Sequence, residues 1–283
     1  MKRLSYLFFS LVMVLFFFSC EDSVESKARE LLAQAGNEYA TGNYNAARLL
    51  IDSIKVTYPK AYKTRREAEL MRREVLVKEK ERDVSFYDET LSSLLEQRDS
   101  LSGMFTFSKD SRFQDEGVYT VPSQAISLNP YNCFLRASVK ENGDTYIASL
   151  YRGKRIAHKS VRVSAGDSFV DCSSPLATRS YKELGVYNER LDFKYGADGG
   201  IMDFIAASGG PFKVTLEGSS GKYEYTLRHD DVLAISQVLE MSKVLNAISE
   251  TKAMREEAQR ALDFLMKSQE RSTAARVKEG VEE

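Results

Sequence analysis

The chain has 283 residues, with 40 Lys and Arg against 41 Asp and Glu, a net charge of −1, and 43% hydrophobic and 29% charged residues. No concentrated cationic field is available to neutralise phosphates, so nucleic-acid binding is unsupported as a function class, while the hydrophobic fraction is that of a folded chain with room for about two domains. No glycine loop able to cradle a phosphate and no loop-ligand spacing for a metal occurs, so neither a cofactor nor a metal is expected.

The first 19 residues read as a signal peptide. Lys2 and Arg3 form a basic head, and Leu4 to Phe18 carries no charge. That uncharged run is short of the ~20 residues a helix needs to cross a bilayer core. Ser19 precedes Cys20, and this ending resembles the lipobox of bacterial lipoproteins, although Phe18 stands where the family usually has a small residue. The resemblance implies cleavage before Cys20, lipidation of Cys20 and a lipid-anchored place in the cell envelope, on the periplasmic or the surface face of the outer membrane. Plain secretion is the alternative. Residues 20–23 form a polar tether, and Glu21 and Asp22 make it similar to surface-displayed lipoproteins of the Bacteroidetes type. Removing residues 1–19 takes away Lys2 and Arg3 and shifts the net charge from −1 to −3.

Residues 24–59 are predicted as a helical hairpin. Ala28, Leu31, Leu32, Ala35 and Tyr39 fall at helical spacing, Thr41-Gly42-Asn43 breaks the run, and Ala46, Ala47, Leu50, Ile51 and Ile54 resume it before Pro59. Ala35, Tyr39, Gly42, Tyr44, Ala47, Ile51 and Pro59 together resemble one tetratricopeptide repeat, with Leu31 and Ile54 departing from the family pattern. Such repeats need neighbours to bury their faces. The helix that follows is the expected partner.

Residues 60–102 should form one long helix, a stalk of ~60 Å at 1.5 Å per residue. Leu70, Val77, Val84 and Leu91 recur every seven residues, with Tyr87, Leu94 and Leu101 three further on, as in a coiled-coil seam. Residues 113–228 then change period. Leu191, Phe193 and Tyr195, then Phe212, Val214 and Leu216, then Tyr223, Tyr225 and Leu227 alternate with polar residues. Further strands are expected at Cys133 to Lys140, Tyr146 to Tyr151, Ile156 to Val163, Phe169 to Cys172 and Ile201 to Ala207. Asn142-Gly143, Arg152-Gly153 and Ser219-Ser220-Gly221 are read as hairpin turns, and Ser173 to Asn188 as an irregular connection. The predicted domain is an antiparallel β-sandwich; no motif in it resembles a known family. Cys133 and Cys172 are an even pair in an oxidising compartment and form the disulfide candidate, with burial as free thiols the alternative.

A returning helix is expected over 229–270, with Asp230 or Asp231 capping its start and Met241, Ile248, Leu262, Val244, Ala258 and Leu265 forming a second seam. Residues 271–283 are read as a loose tail. The fold class is therefore α+β: a helical hairpin and a long antiparallel two-helix stalk, with the β domain inserted between its arms. In that pairing Leu94 is expected near Met241 and Leu70 near Leu265.

Catalytic residues do not emerge. His158 reads as a half-exposed strand residue and His229 as turn chemistry, and Asp167, Asp171, Asp192 and Asp203 are scattered over strand faces. Tyr146, Tyr151, Tyr181 and Tyr187 are considered as glycan-stacking residues, but the chain has no Trp and tyrosine packs in ordinary strands. The sequence thus favours a non-enzymatic lipoprotein that presents a β domain to a protein or glycan partner. The alternatives are a glycan-active hydrolase using two carboxylates, or a structural subunit docking through its helical hairpin.

Overall fold

The structure is a computed structural model that describes residues 23–112, 114–129 and 133–279, with side chains up to 271. The signal segment, Cys20 and most of the tether lie outside the described residues. The chain is α+β and divides into two compact units: a helical unit, comprising the chain up to Glu89 together with Ala253 onwards, and a β unit, Thr90–Lys252.

In the helical unit, α1 covers 23–40 and α2 covers Tyr44–Thr57, and α3 begins at Tyr62 and runs to Ser102. Gly42 ends α1 with a φ of 81°. Its N–H bonds to the Tyr39 carbonyl and the next N–H, of Asn43, to the Glu38 carbonyl, which is the Schellman closure that needs a left-handed residue. Ala28, Ala35, Ala47, Ala61 and Ala68 are buried beside Ile51, Ile54 and Val75, so small side chains let three helices approach closely. Glu25 of α1 reaches the start of α3, where its carboxylate accepts from the Thr64 hydroxyl at 2.7 Å and from the Lys63 and Thr64 amides at 3.1 and 3.2 Å.

In the β unit, β1 (Thr106–Ser108), β2 (Val118–Thr120), β3 (Phe134–Lys140), β4 (Thr145–Gly153), β7 (Ala177–Glu183) and β8 (Val186–Lys194) make one sheet, in the order β1-β2-β3-β4-β8-β7. A second sheet has the order β10-β9-β5-β6, from β5 (His158–Ala165), β6 (Ser168–Cys172), β9 (Lys213–Gly218) and β10 (Gly221–Thr226). All pairings are antiparallel. One core takes Leu135, Ile147, Leu191 and Phe193 from the first sheet, Val161, Val163, Val214 and Leu216 from the second, and Ile235, Val238, Met241 and Leu245 from the last helix, α5 (His229–Glu279). That helix is the only described one long and apolar enough to cross a membrane by length and composition, but half of its apolar window is buried inside the protein. Its apolar face is occupied by the core.

Four expectations need correction. Ile201 to Ala207 is a helix, α4, and not a strand: Gly199 and Gly200 adopt φ of 66° and 78°, Asp198 accepts from the Met202 amide at 2.9 Å, and Ile201, Met202 and Ile205 are the buried set, a helical spacing. Ser173 to Asn188 is not irregular but holds β7 and the start of β8, joined through Leu184-Gly185. Arg152-Gly153 is no hairpin turn, because β4 pairs with β3 and β8 while β5 belongs to the other sheet. The helix α5 continues to Glu279, through residues expected as a loose tail; Ser272 to Glu279 contains no Gly or Pro to stop it. Asp231 is also not an amide cap in the bonds it makes. It is buried and accepts from Arg228 at 2.8 Å and from Gln124 at 3.1 Å.

Candidate functional site

Side chains alternate across a strand, so the residues between the core positions of β3, β4, β8 and β7 share the opposite face of that sheet. The register puts Phe134, Leu150, Arg190 and Arg179 in one row across the four strands. Arg152, Asn188 and Tyr181 form the row on one side of it, and Arg136, Ala148 and Asp192 the row on the other. A groove of about 230 Å³ lies on this face, lined among others by Phe134, Leu150, Arg152, Arg179, Tyr181 and Arg190. Its rim is the short 3₁₀ stretch Ile126–Leu128 followed by Asn129.

That rim is held by a buried polar network. Gln124 donates to the Leu135 carbonyl at 2.7 Å and accepts from the Ala137 amide at 2.9 Å, and Arg228 links Asp231 to Asn129. The Arg228 guanidinium also lies over the Phe134 ring, 5.4 Å from its centroid. The groove floor is therefore fixed by hydrogen bonds on both sides.

Four arginines, 136, 152, 179 and 190, share this face, and only part of their charge is answered. Arg190 bonds Asp192 at 2.7 Å, and Arg152 bonds the Asn188 side-chain oxygen at 3.1 Å and approaches Glu183 at 3.8 Å. Arg179 has no carboxylate partner among the described residues. Burial, with the charge of Arg190, holds the Arg136 guanidinium below the usual arginine range. The Arg136 Nε and the Asn188 Nδ2 are buried with no hydrogen-bond partner among the described residues. Buried donors without acceptors are costly.

Comparison with family models, with curated proteins and with solved structures finds no match. The chemistry of the site must come from the chain itself.

The carboxylate lining this groove is Glu189, which is buried and committed elsewhere. It accepts from the amides of Ile156, Ala157 and His158 at 3.1, 2.9 and 2.8 Å, with the His158 ring nitrogen Nδ1 at 3.3 Å. Burial alone would raise its pKa, but these hydrogen bonds outweigh it and hold the carboxyl below the ordinary range. His158 is not half-exposed as expected: its side chain is wholly buried, and burial lowers its pKa despite the carboxylate beside it.

The other residues singled out from sequence do not converge. Cys133 and Cys172 are free thiols with separate partners. The Cys133 sulfur accepts from the Arg152 amide at 3.4 Å, and Cys172 lies 3.4 Å from the Ala197 carbonyl in the other sheet. The candidate bridge is not formed in the structure. Asp171, Asp192 and Asp203 bond Arg162, Arg190 and Tyr195 respectively, and no group able to hold a metal occurs among the described residues. Of the tyrosines, Tyr151 and Tyr181 both line the groove, and the Tyr151 hydroxyl donates to the Lys154 carbonyl at 2.7 Å. A larger hollow of about 350 Å³ lies between α2 and α3 in the helical unit. Its Arg72 bonds Asp52 and its Arg65 bonds the Pro59 carbonyl.

The sequence reading missed the arginines. Arg136 and Arg190 do alternate with core residues, but Arg179 sits in the segment read as irregular, so the row across four strands was not visible.

Proposed function

We propose that this chain is a lipid-anchored protein of the cell envelope, attached through Cys20 after loss of residues 1–19, whose β unit binds a ligand bearing carboxylate, phosphate or sulfate groups. The observation that carries the binding reading is the pair of buried, unpartnered donors, Arg136 Nε and Asn188 Nδ2, on a face with four arginines. Guanidinium groups suit such oxyanions. Phe134, Leu150 and the exposed Tyr181 add an apolar floor and rim, so an anionic glycan is the ligand class favoured. A hydrolase is less well supported, because Glu189, the carboxylate of the groove, is buried and already accepts from three backbone amides, which lower its pKa and disfavour a general-acid role.

The finer architecture belongs to the same proposal. The first two helices and the start of α3 act as a single TPR-like unit, a reading supported by the buried alanines between them. The two sheets and α5 act as a sandwich closed by a helix. The long helices α3 and α5 run antiparallel, supported by the Arg255–Asp88 pair at 2.8 Å and by Gln237 against the Met104 sulfur at 3.5 Å: the residue number rises along one helix as it falls along the other. Continued along both helices, this register would set Leu101, rather than Leu94, level with Met241, one heptad from the pairing expected from the stripes.

Titration of the protein with an oligouronate and with a neutral oligosaccharide of equal length tests the binding reading. The oligouronate should bind, more weakly at high salt, and Arg179→Ala or Arg190→Ala should weaken it ~10-fold or more, the scale of a hydrogen bond to a charged group. Equal binding of the neutral sugar, unaffected by either substitution, contradicts the proposal.

A further inference from the structure

The turn between β7 and β8 breaks a local rule. Glu183 pairs with Val186, which leaves Leu184 and Gly185 as the two central residues, with φ of 50° and 85°. A two-residue turn with both residues left-handed takes Asn, Asp or Gly at its first position, because a Cβ is disfavoured there. This chain has Leu184, and 92% of it is exposed, more than any other large hydrophobic residue described. The side chain does not suit its backbone and packs on nothing among the described residues.

The surroundings of the tip are cationic. Lys182 Nζ and the Arg155 guanidinium lie 5.6 and 5.9 Å from the centroid of the Tyr187 ring, and Lys154 precedes Arg155 in the loop leaving β4. All three cations are exposed, and none has a carboxylate partner among the described residues. Arg152 and Glu183 approach each other alongside. The tip lies at the end of β4 away from the Asn142-Gly143 turn, whose Gly143 carbonyl is held by Ser242 of α5.

We infer that this tip seats on an anionic lipid surface, with Leu184 entering the acyl boundary and Lys154, Arg155 and Lys182 among the headgroup phosphates. An exposed aliphatic side chain at a hairpin tip, with Lys182 on the same hairpin and Arg155 beside its Tyr187, fits a fluid surface that is negative everywhere. A protein pocket would instead need acids placed to match. Each Lys or Arg near an anionic membrane contributes roughly fivefold to partitioning, so the three cations together give ~100-fold, and the buried leucine adds about tenfold or more. That is reversible binding, which steadies the tip without replacing an anchor. The inference is independent of the ligand groove.

The chain has no Trp, so Leu184→Trp in the full chain is a single-site reporter. Its emission should shift to the blue with phosphatidylglycerol vesicles, be quenched by brominated acyl chains, and stay unshifted with phosphatidylcholine vesicles. Leu176→Trp, 66% exposed just before the far end of β7, should not shift with either. Adding Lys182→Ala and Arg155→Ala to the Leu184 reporter should lower the apparent partitioning ~25-fold. Hydrogen exchange reads the same contact without a reporter: amides 182–186 should slow on phosphatidylglycerol vesicles only, and Leu184→Asn, which suits the turn, should raise the lipid concentration needed for half of that slowing about tenfold. No blue shift at 184, an equal shift with neutral vesicles or at 176, or a half-slowing lipid concentration unchanged by Leu184→Asn would each overturn the inference.

Discussion

Glu189 is 4% exposed and fastens the start of β5 to β8, across the two sheets. Its three amide bonds hold a segment in which Ala157 has a φ of 51° and the β5–β9 register slips between His158 and Ser160. Removing the carboxylate strands three buried or partly buried N–H groups, each costing on the order of 1 kcal/mol or more. Glu189→Ala should therefore lower the unfolding free energy by about 3 kcal/mol or more, measured by urea titration; a loss under about 1 kcal/mol would show that water replaces the clamp. The neighbouring His158 gives this corner a pH dependence. Burial lowers its pKa below the ordinary 6.5, so the unfolded chain binds the proton more readily, and stability is full above that value and falls as pH drops through it. Glu189, also lowered from its ordinary 4.5, contributes stability above that value that is lost as pH falls further. His158→Asn keeps a donor near Glu189 and should flatten the melting temperature between about pH 7 and 5.5, leaving the decline below about 4.5. An unchanged upper limb would mean that the histidine does not titrate in this range.

At the scale of elements, Glu25 does for α3 what an N-cap does from within a helix: it supplies acceptors to first-turn amides, here from the neighbouring helix α1. Its carboxyl is held below the ordinary range, chiefly by the Thr64 hydroxyl. Glu25→Ala should cost about 1 kcal/mol, the usual value of a cap, and increase exchange at the Lys63 and Thr64 amides; unchanged exchange there would refute the capping role. Elements with one dominant period were legible in the sequence. The long helices, free of Gly and Pro, and the strands with clean alternation, β8 through Leu191 and Phe193 or β9 through Val214 and Leu216, fall where periodicity puts them. The misread elements are those whose defining bond is not local in type. Ile201 to Ala207 is short enough that apolar content alone cannot separate strand from helix, and the deciding contacts are Asp198 and two left-handed glycines. The β7–β8 hairpin was hidden because Leu184 occupies a position where a turn residue is expected. The candidate site was hidden for a further reason: Arg136, Arg152, Arg179 and Arg190 become neighbours only through the pairing of four strands, and no spacing along the chain records that.

At the scale of the whole molecule, two proposals can be tested without knowing the ligand. If Cys20 carries a lipid, Cys20→Ser expressed in the native host should lose the mass of the acyl groups and leave the membrane fraction; retention there with unchanged mass refutes the anchor. The second concerns the long helices. On α3 the partly buried positions Val84, Tyr87, Leu91, Leu94, Arg98 and Leu101 recur every three or four residues, and on α5 Thr251, Arg255, Ala258, Leu262 and Leu265 do the same. Such stripes mark a seam that a partner helix covers, since leaving an aliphatic side chain in water forgoes roughly 1.5 to 3 kcal/mol. The contacts of Met104 with Gln237 and of Asp88 with Arg255 fix which residues face one another if the seam closes within one chain. Counting back from Met104 one turn at a time, Leu94 falls level with Ile248, which is 6% exposed. Cysteines at 94 and 248, in a chain lacking the native thiols, should then crosslink rapidly within one molecule, and cysteines at 94 and 241 should not, being two turns or ~10 Å out of register. Crosslinking of 94 with 241 would restore the register read from the stripes alone, whereas products of twice the chain mass for both pairs would mean that the seam closes between two copies.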